Sequence, residues 1–402
     1  MSTGETGAGA AAPDRDFWHE QRAALADRFA GRDEAVRALQ LAVLSGEHAF
    51  LFGPPGTAKT SLVRAFAATL QGRLFEQTLS RTRPDAAVLG PLDLPLLRDR
   101  GEHRRVVGGY LLDAEWAFLD EIGHISPDLG HDLHAALSDR VRHEVAGGRC
   151  THPIPLRSAF TAGNTIPGDG GTGEPDDDAR ALWDRLLVRV PVGYLSRADA
   201  ARMLTACPDT GALPWRPLTG LDADRAAVDA VTVPGAVCEE LLGLRDRLTA
   251  AGDVFSDRRW HASLRLVRAT AWLRGAAEAG AADLAALRFA LWDHSEQRDR
   301  VLREIAQVSD PLEAERLDLL AMVRLLTEVS GSYRDRPSTA RTPWLREARR
   351  KHRALRERTE ALRRRWGTRD DAALTEIVDA LRDGADAIAG LDEPAPAAGR
   401  SR

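Results

Sequence analysis

Apolar and polar positions alternate along the first half of the chain in two different periods. Phe17 to Phe29 and Asp33 to Leu44 repeat apolar residues at three- and four-residue spacing, which predicts two helices broken at Gly31; Val36, Leu39, Leu41 and Leu44 form the buried face of the second. The apolar run Ala49 to Phe52 then predicts a strand, and Leu62, Val63, Phe66 and Leu70 predict the inner face of a helix, with FGPPGTAKTS between them. Leu74 to Leu79 reads as a further strand and Arg83-Pro84-Asp85 as a turn. Leu89 to Tyr110 has two short segments on either side of Gly101, which predicts a projecting hairpin inserted into the fold. Trp116 to Leu119 is an apolar strand, Leu129 to Leu137 a helix, and Gly147 and Gly148 mark a second hairpin turn. Ser158 to Gly163 is a strand ending at Asn164, Ile166 to Ala179 a flexible acidic loop, and Val188 to Val192 another strand. Strands alternating with helices predict an α/β fold, a parallel sheet flanked by helices.

From Ser196 the pattern is helical almost throughout. Val237 to Leu248, Arg259 to Leu273 and Ala282 to Trp292 predict three amphipathic helices of a small lid, the second capped by Ser256 or Asp257. Leu312 to Val329 is apolar enough to pack, SGSYRDRPSTARTP reads as a linker, and Trp344 to Trp366 as a long helix. Its residues Leu345, Ala348, His352, Leu355, Thr359, Leu362 and Trp366 form a narrow coiled-coil-like seam, with Leu374, Ile377, Val378, Leu381 and Ile388 on a partner helix. The expected organisation is a disordered tail over 1–14, a nucleotide-binding core over 15–195, a helical lid over 196–309, a helical extension over 310–390, and a disordered tail over 391–402.

The 402 residues carry 60 acidic and 55 basic side chains, a formal net charge of −5, so no global charge points to nucleic acid. Cys150, Cys207 and Cys238 stand far apart without a CxxC pair, which suits a reducing compartment and neither a disulfide framework nor a zinc site. His131 and His134 have a three-residue spacing but no third ligand to complete a metal site. With no basic, apolar leader and no run long enough to span a bilayer, the sequence leads us to expect a cytoplasmic protein without membrane insertion.

Candidate chemistry changes the picture at the stretch Phe52 to Ser61. In a strand–loop–helix, Gly53, Pro54, Pro55, Gly56, Thr57, Ala58, Lys59, Thr60 and Ser61 form a loop whose N–H groups converge on phosphates at a helix N-terminus. Lys59 then reaches the β- and γ-phosphates of ATP, and the Thr60 hydroxyl holds Mg²⁺. Only Lys59 and Lys351 among the 55 basic residues are lysines, so a lysine kept here marks a need for a compact ammonium. The strand Trp116 to Leu119 ends in Asp120 and Glu121, at the sheet edge where α/β folds bind ligands. Asp120 is expected to bind Mg²⁺ through water and Glu121 to orient and polarise the attacking water. Asn164, at the tip of a neighbouring strand, is a candidate contact to the γ-phosphate or that water.

On these residues the chain resembles AAA+ ATPases of the MoxR group, within it the RavA-like branch. GPPGTAKT resembles the group's Walker A, which places Ala58 before the lysine; GPLDLPLLRDRGEHRRVVGGYLLDAEWAFLDE resembles its helix-2 insert and Walker B; ALWDRLLVRV resembles its arginine-finger region and SDRRW its sensor-2 region. The similarity spans about residues 20–300. It implies sensor 1 at Asn164, a finger at Arg185 acting on the neighbouring subunit's ATP, and sensor 2 at Arg258, with the adjacent Arg259 open for the same role. It also implies a homo-oligomeric ring, usually hexameric, and a possible partner carrying a von Willebrand factor A domain.

The expected function is chaperone-like remodelling of a protein client driven by ATP hydrolysis at subunit interfaces. Two alternatives are a nucleic-acid-directed ring motor and a nucleotide-gated assembly scaffold. The first is disfavoured by the insert, where Arg98, Arg100, Arg104 and Arg105 are mixed with Asp93, Asp99 and Glu102, and the second by Glu121 and Arg185 both being intact. The arginine-rich helix Trp344 to Trp366 reads as a solvated face, or as a dock for an acidic protein or nucleic acid.

Overall fold

Four apolar residues, Ala49–Phe52 (β1), form an inner strand of a sheet whose order is β2-β3-β6-β1-β7, with β2 at Leu74–Thr78, β3 at Trp116–Asp120, β6 at Ser158–Gly163 and β7 at Val188–Pro191. Every pairing is parallel, so each strand needs a crossover, and the inner strands are buried almost continuously. The computed structural model describes residues 11–391 apart from 81, 83, 126, 146–148, 166–181, 206–210, 335 and 368–370. The expected acidic loop therefore lies outside the described residues, as do Gly147, Gly148 and Cys207. The chain divides into two compact units, Met1–Val301 and Leu302–Arg402.

In the first unit α1 (Arg15–Arg28) and α2 (Asp33–Ser45) precede the sheet, and α3 (Lys59–Ala67) follows β1. Ala12 and Asp14, expected in the tail, are engaged: the Ala12 carbonyl accepts from Arg216 at 2.9 Å, and the Asp14 N–H donates to Asp224 at 2.7 Å. Phe50 packs edge-on against Trp183, ring centroids 5.0 Å apart, in a core shared with Leu119, Leu133 and Leu186. The helix Pro127–Ser138 leads into an antiparallel hairpin of β4 (Val141–Val145) and β5 (Arg149–Pro153).

The first insert departs from the expected hairpin. Asp93 caps a short helix, Leu94–Arg100, by accepting from Leu96 N–H at 3.1 Å, with Pro95 pre-set in its first turn and Gly101 closing it at φ 66°. All that remains of a hairpin is one antiparallel bridge, Leu92 to Arg105. The segment Ala282 to Trp292 likewise is not an α-helix: Ala281–Phe289 winds as a 3₁₀ helix, tightened at its start where Asp283 accepts from Gly280 N–H at 2.8 Å. Gly235–Ala250 and Asp257–Leu273 are α-helices.

In the second unit Pro311–Ser332, Ser338–Trp366 and Asp371–Ala389 are three helices whose apolar faces meet. Leu319, Val323, Ala348, Leu362, Trp366 and Ile377 are buried among them. The stretch expected as a linker is largely helical, only residues 333–337 lying between helices, and Pro343 falls inside the second helix, near its start. As the sixth residue it lies beyond the first-turn N–H groups that lack partners anyway, so it removes one intrahelical bond, the one to the Thr339 carbonyl.

Candidate functional site

The loop between β1 and α3 is shaped by backbone that side chains resist. The Gly53 N–H donates to Gly163 O at 3.0 Å, and a Cβ at Gly53 would collide with the Val192 carbonyl. Gly56 has φ 78° and Ala58 φ 66°, both left-handed, so the chain turns twice before α3 begins at Lys59. For an alanine that conformation costs about 1–2 kcal/mol. The Lys59 ammonium is folded onto the loop, donating to Gly53 O at 2.7 Å and Pro54 O at 2.9 Å, with Thr57 Oγ1 at 3.5 Å. Burial pulls its pKa down, against Asp120 and Glu121, which pull it up. Thr57 is buried and bonded to Pro54 O, whereas Pro55 and Ser61 are exposed.

Register brings the second half of the site to the same edge. Phe52 pairs with Gly163 and Leu119 with Thr161, so β1, β3 and β6 end together. Asp120 Oδ2 lies 3.4 Å from Thr60 Oγ1, and its Oδ1 accepts from Glu121 N–H at 3.0 Å. Glu121 has φ 57°, a second non-glycine residue held left-handed beside the loop. Asn164 is exposed immediately after β6. A hydroxyl and a carboxylate in reach of one another are the hard oxygen donors that Mg²⁺ prefers.

Arg185 and Arg258 are not in this group. The Arg185 Nε donates to Ser138 Oγ; the neighbouring Leu137 carbonyl is 2.8 Å from His48 Nε2, and His48 O accepts from Val188 N–H at 3.0 Å. His48 precedes β1 and Val188 begins β7, so Arg185 lies at the amino edge of the sheet, opposite the phosphate loop. Arg258 joins it there: Nη1 of each arginine is 3.9 Å from Asp184 Oδ2. Their side chains are 20% and 44% exposed, whereas Arg259 is 4% exposed and committed to Asp184 and Asp293. Ser256 caps the helix Asp257–Leu273 as its position leads one to expect, accepting from Arg259 N–H at 3.2 Å. Arg259 is thus a packing residue, and Arg258 is the arginine of the pair that faces outward.

Two residues near these sites escaped the sequence reading. Arg32, buried, donates to Gly193 O at 2.9 Å and adds positive charge near Lys59. Asp184 gathers Ser256, Arg258, Arg259 and Arg185 on one carboxylate. The only local trace of the second is an acid directly before the candidate finger.

Comparison with known proteins agrees with this geometry. Residues 18–214 match the MoxR domain in the MoxR-vWA-beta-propeller ternary systems, and residues 236–305 match the AAA lid domain. An uncharacterized protein of Methanocaldococcus jannaschii is 27% identical over 321 residues, 78% of this chain and 82% of its own. The protein named Chaperone MoxR1 from Mycobacterium tuberculosis is 29% identical over 177 residues, 43% of this chain and 44% of its own. In fold, the chain is similar to the crystal structure of a candidate ATPase from Cytophaga hutchinsonii, with a TM-score of 0.57 and 15% identity over 73% of this chain and 94% of that one. With a phosphate loop, a strand-end Asp-Glu pair and a lid in this order, the chain belongs to the MoxR family of AAA+ ATPases.

Proposed function

We propose that this ATPase hydrolyses ATP at contacts between copies of itself, in a closed ring, and uses the cycle to remodel a protein partner. One observation carries the reading: the phosphate loop and Arg185 occupy opposite edges of one sheet. A chain so built cannot bring its own finger to its own triphosphate, and repeated head-to-tail contacts form a ring where the rotation between copies closes. We assign residues 15–195 to the core, 196–309 to the lid and 310–390 to an extension.

In this mechanism the loop N–H groups of residues 53–61 hold the phosphates, and Lys59 leaves the Gly53 and Pro54 carbonyls for the β- and γ-phosphates. Thr60 and Asp120 would hold Mg²⁺, which neutralises charge on the phosphate oxygens. Glu121 orients and polarises the water that attacks the γ-phosphorus and accepts its proton; the bond to the bridging oxygen breaks, and ADP and inorganic phosphate leave. Asn164 hydrogen-bonds the γ-phosphate or the water. Arg185 and Arg258 of the adjacent copy meet the charge that develops, a contribution of about 10³ to 10⁵ in rate for an arginine finger.

The partner we favour carries a von Willebrand factor A domain, the association named in the matched family. A cytoplasmic location and a RavA-like branch are part of the same reading; among the described residues no helix is long and apolar enough to cross a membrane. A nucleic-acid motor is disfavoured because the insert's arginines have acidic neighbours: Arg98 with Asp99 at 2.8 Å, Arg105 with Asp85 at 2.6 Å, and Arg104 with Glu102 at 3.7 Å.

The test is subunit mixing. Lys59→Ala and Arg185→Ala proteins should each be nearly inert alone. Mixed in equal amounts they should recover up to about a quarter of the parent rate, because one contact in roughly four joins an intact loop to an intact arginine. Absence of recovery would remove the shared site.

A further inference from the structure

Resting on that reading of Arg185 and Arg258, we propose that Asp184 is the positioning residue that sets both arginines toward the neighbouring copy's triphosphate. Its carboxylate is divided between two tasks. Oδ1 faces inward, accepting from Arg259 Nη2 at 3.0 Å and Nε at 3.2 Å, while Oδ2 lies 3.9 Å from Nη1 of both Arg185 and Arg258. Ser256 Oγ, the helix cap, sits 3.2 and 3.3 Å from the two oxygens and fixes the plane of the group. The inner partner is itself immobilised: Arg259 also grips Asp293 at 2.9 and 3.0 Å, and Asp293 holds the fully buried Arg189 at 2.7 Å. Asp184 therefore stands at the outer end of a largely buried chain of alternating charges that runs to β7.

Two consequences give this arrangement a purpose beyond packing. The arginines come from distant parts of the chain, and like charges so close repel; a single anion between them lets both point the same way. The contact is also loose. At 3.9 Å it is an ion pair without a hydrogen bond, so Asp184 takes no donor from either guanidinium; Arg185 gives only its Nε–H to Ser138 Oγ, which leaves the Nη groups for phosphate oxygens. A positioning anion that bound its arginines tightly would compete with the ligand, and one that was absent would leave Arg185 held only through its Nε–H to Ser138 and the half-exposed Arg258 to be ordered at each turnover.

The experiment is Asp184→Asn in the full chain, read by kcat, by KM for ATP, by thermal midpoint and by mixing with Lys59→Ala protein. The proposal expects kcat to fall about 10- to 100-fold with KM for ATP within about twofold of the parent, because the chain's own phosphate loop is untouched. It also expects Lys59→Ala protein, inert by itself, to restore part of the rate, since its Arg185 and Arg258 remain ordered. Parent-like kcat, or a lowered kcat that Lys59→Ala protein does not restore, overturns the assignment. If Arg185→Ala is restored by the same partner while Asp184→Asn is not, the role of Asp184 fails and the shared site stands; if neither is restored, the shared site fails. Should Asp184→Asn not fold, Asp184→Glu keeps the charge for Arg259 but moves the outer oxygen, and the same kcat loss and restoration are expected of it.

Discussion

The Thr60 hydroxyl and the Asp120 carboxylate stand 3.4 Å apart, although 60 residues separate them in the chain. The first lies in the opening turn of α3 and the second ends β3, so the contact is made by the sheet and not by either local motif. Replacing Asp120 with Asn keeps the shape and removes the charge. ATP hydrolysis measured against Mg²⁺ concentration should then need at least about tenfold more Mg²⁺ for half-maximal rate. An unchanged Mg²⁺ profile would take Asp120 out of the metal site.

Glu121 invites the complementary experiment. With glutamine in its place the site keeps its size and loses its base, so turnover should fall by about 10² to 10⁴ while ATP is still retained. Equilibrium binding of a fluorescent ATP analogue alongside steady-state hydrolysis separates the two effects. Loss of binding together with turnover would make Glu121 a structural residue of the strand end.

Ala58 carries strain that a single substitution relieves. It sits at φ 66°, where glycine is at ease. Ala58→Gly should raise stability by about 1 kcal/mol, measured by denaturant unfolding, the gain from the released conformation exceeding the extra freedom of the unfolded chain. A destabilised variant would mean that the methyl group makes a contact outweighing the strain.

His48 makes stability depend on acid. It is fully buried, accepts at Nδ1 from Ala159 N–H at 2.9 Å, and meets Leu137 O at Nε2, so it must donate there and stay neutral. Burial pushes its pKa down to about 4 from 6.5. The unfolded chain therefore binds a proton that the folded one refuses, and the associated stability is present above pH 6.5 and lost as pH falls from there toward 4. Across that window the loss should approach about 3 kcal/mol. His48→Gln should flatten this dependence in unfolding measured at pH 7 and 5; an equally steep fall in the variant would assign the acid sensitivity elsewhere.

How much was legible in the sequence followed from how local the cause was. The phosphate loop, the strand into Asp120 and Glu121, the cap at Ser256 and the seam around Leu355 and Leu362 each depend on spacing within one segment, and they could be read there. The insert misled because Pro95 and Gly101 suit a hairpin and a short capped helix equally well, and the Asp93 bond to Leu96 N–H decides between them. Asp184 and Arg189 were invisible for a different reason. Their partners Arg259 and Asp293 lie far along the chain, and a buried ion pair between distant residues leaves no period or motif behind.

The four residues of β1 set a length scale for the whole reaction. On the shared site proposed above, with Lys59 near one end of that strand and Arg185 beyond the other, rate per molecule becomes a property of concentration. Diluted copies should bind nucleotide as well as crowded ones yet consume it more slowly, so that specific activity climbs with the amount of protein in the assay and levels off once every copy has found a neighbour.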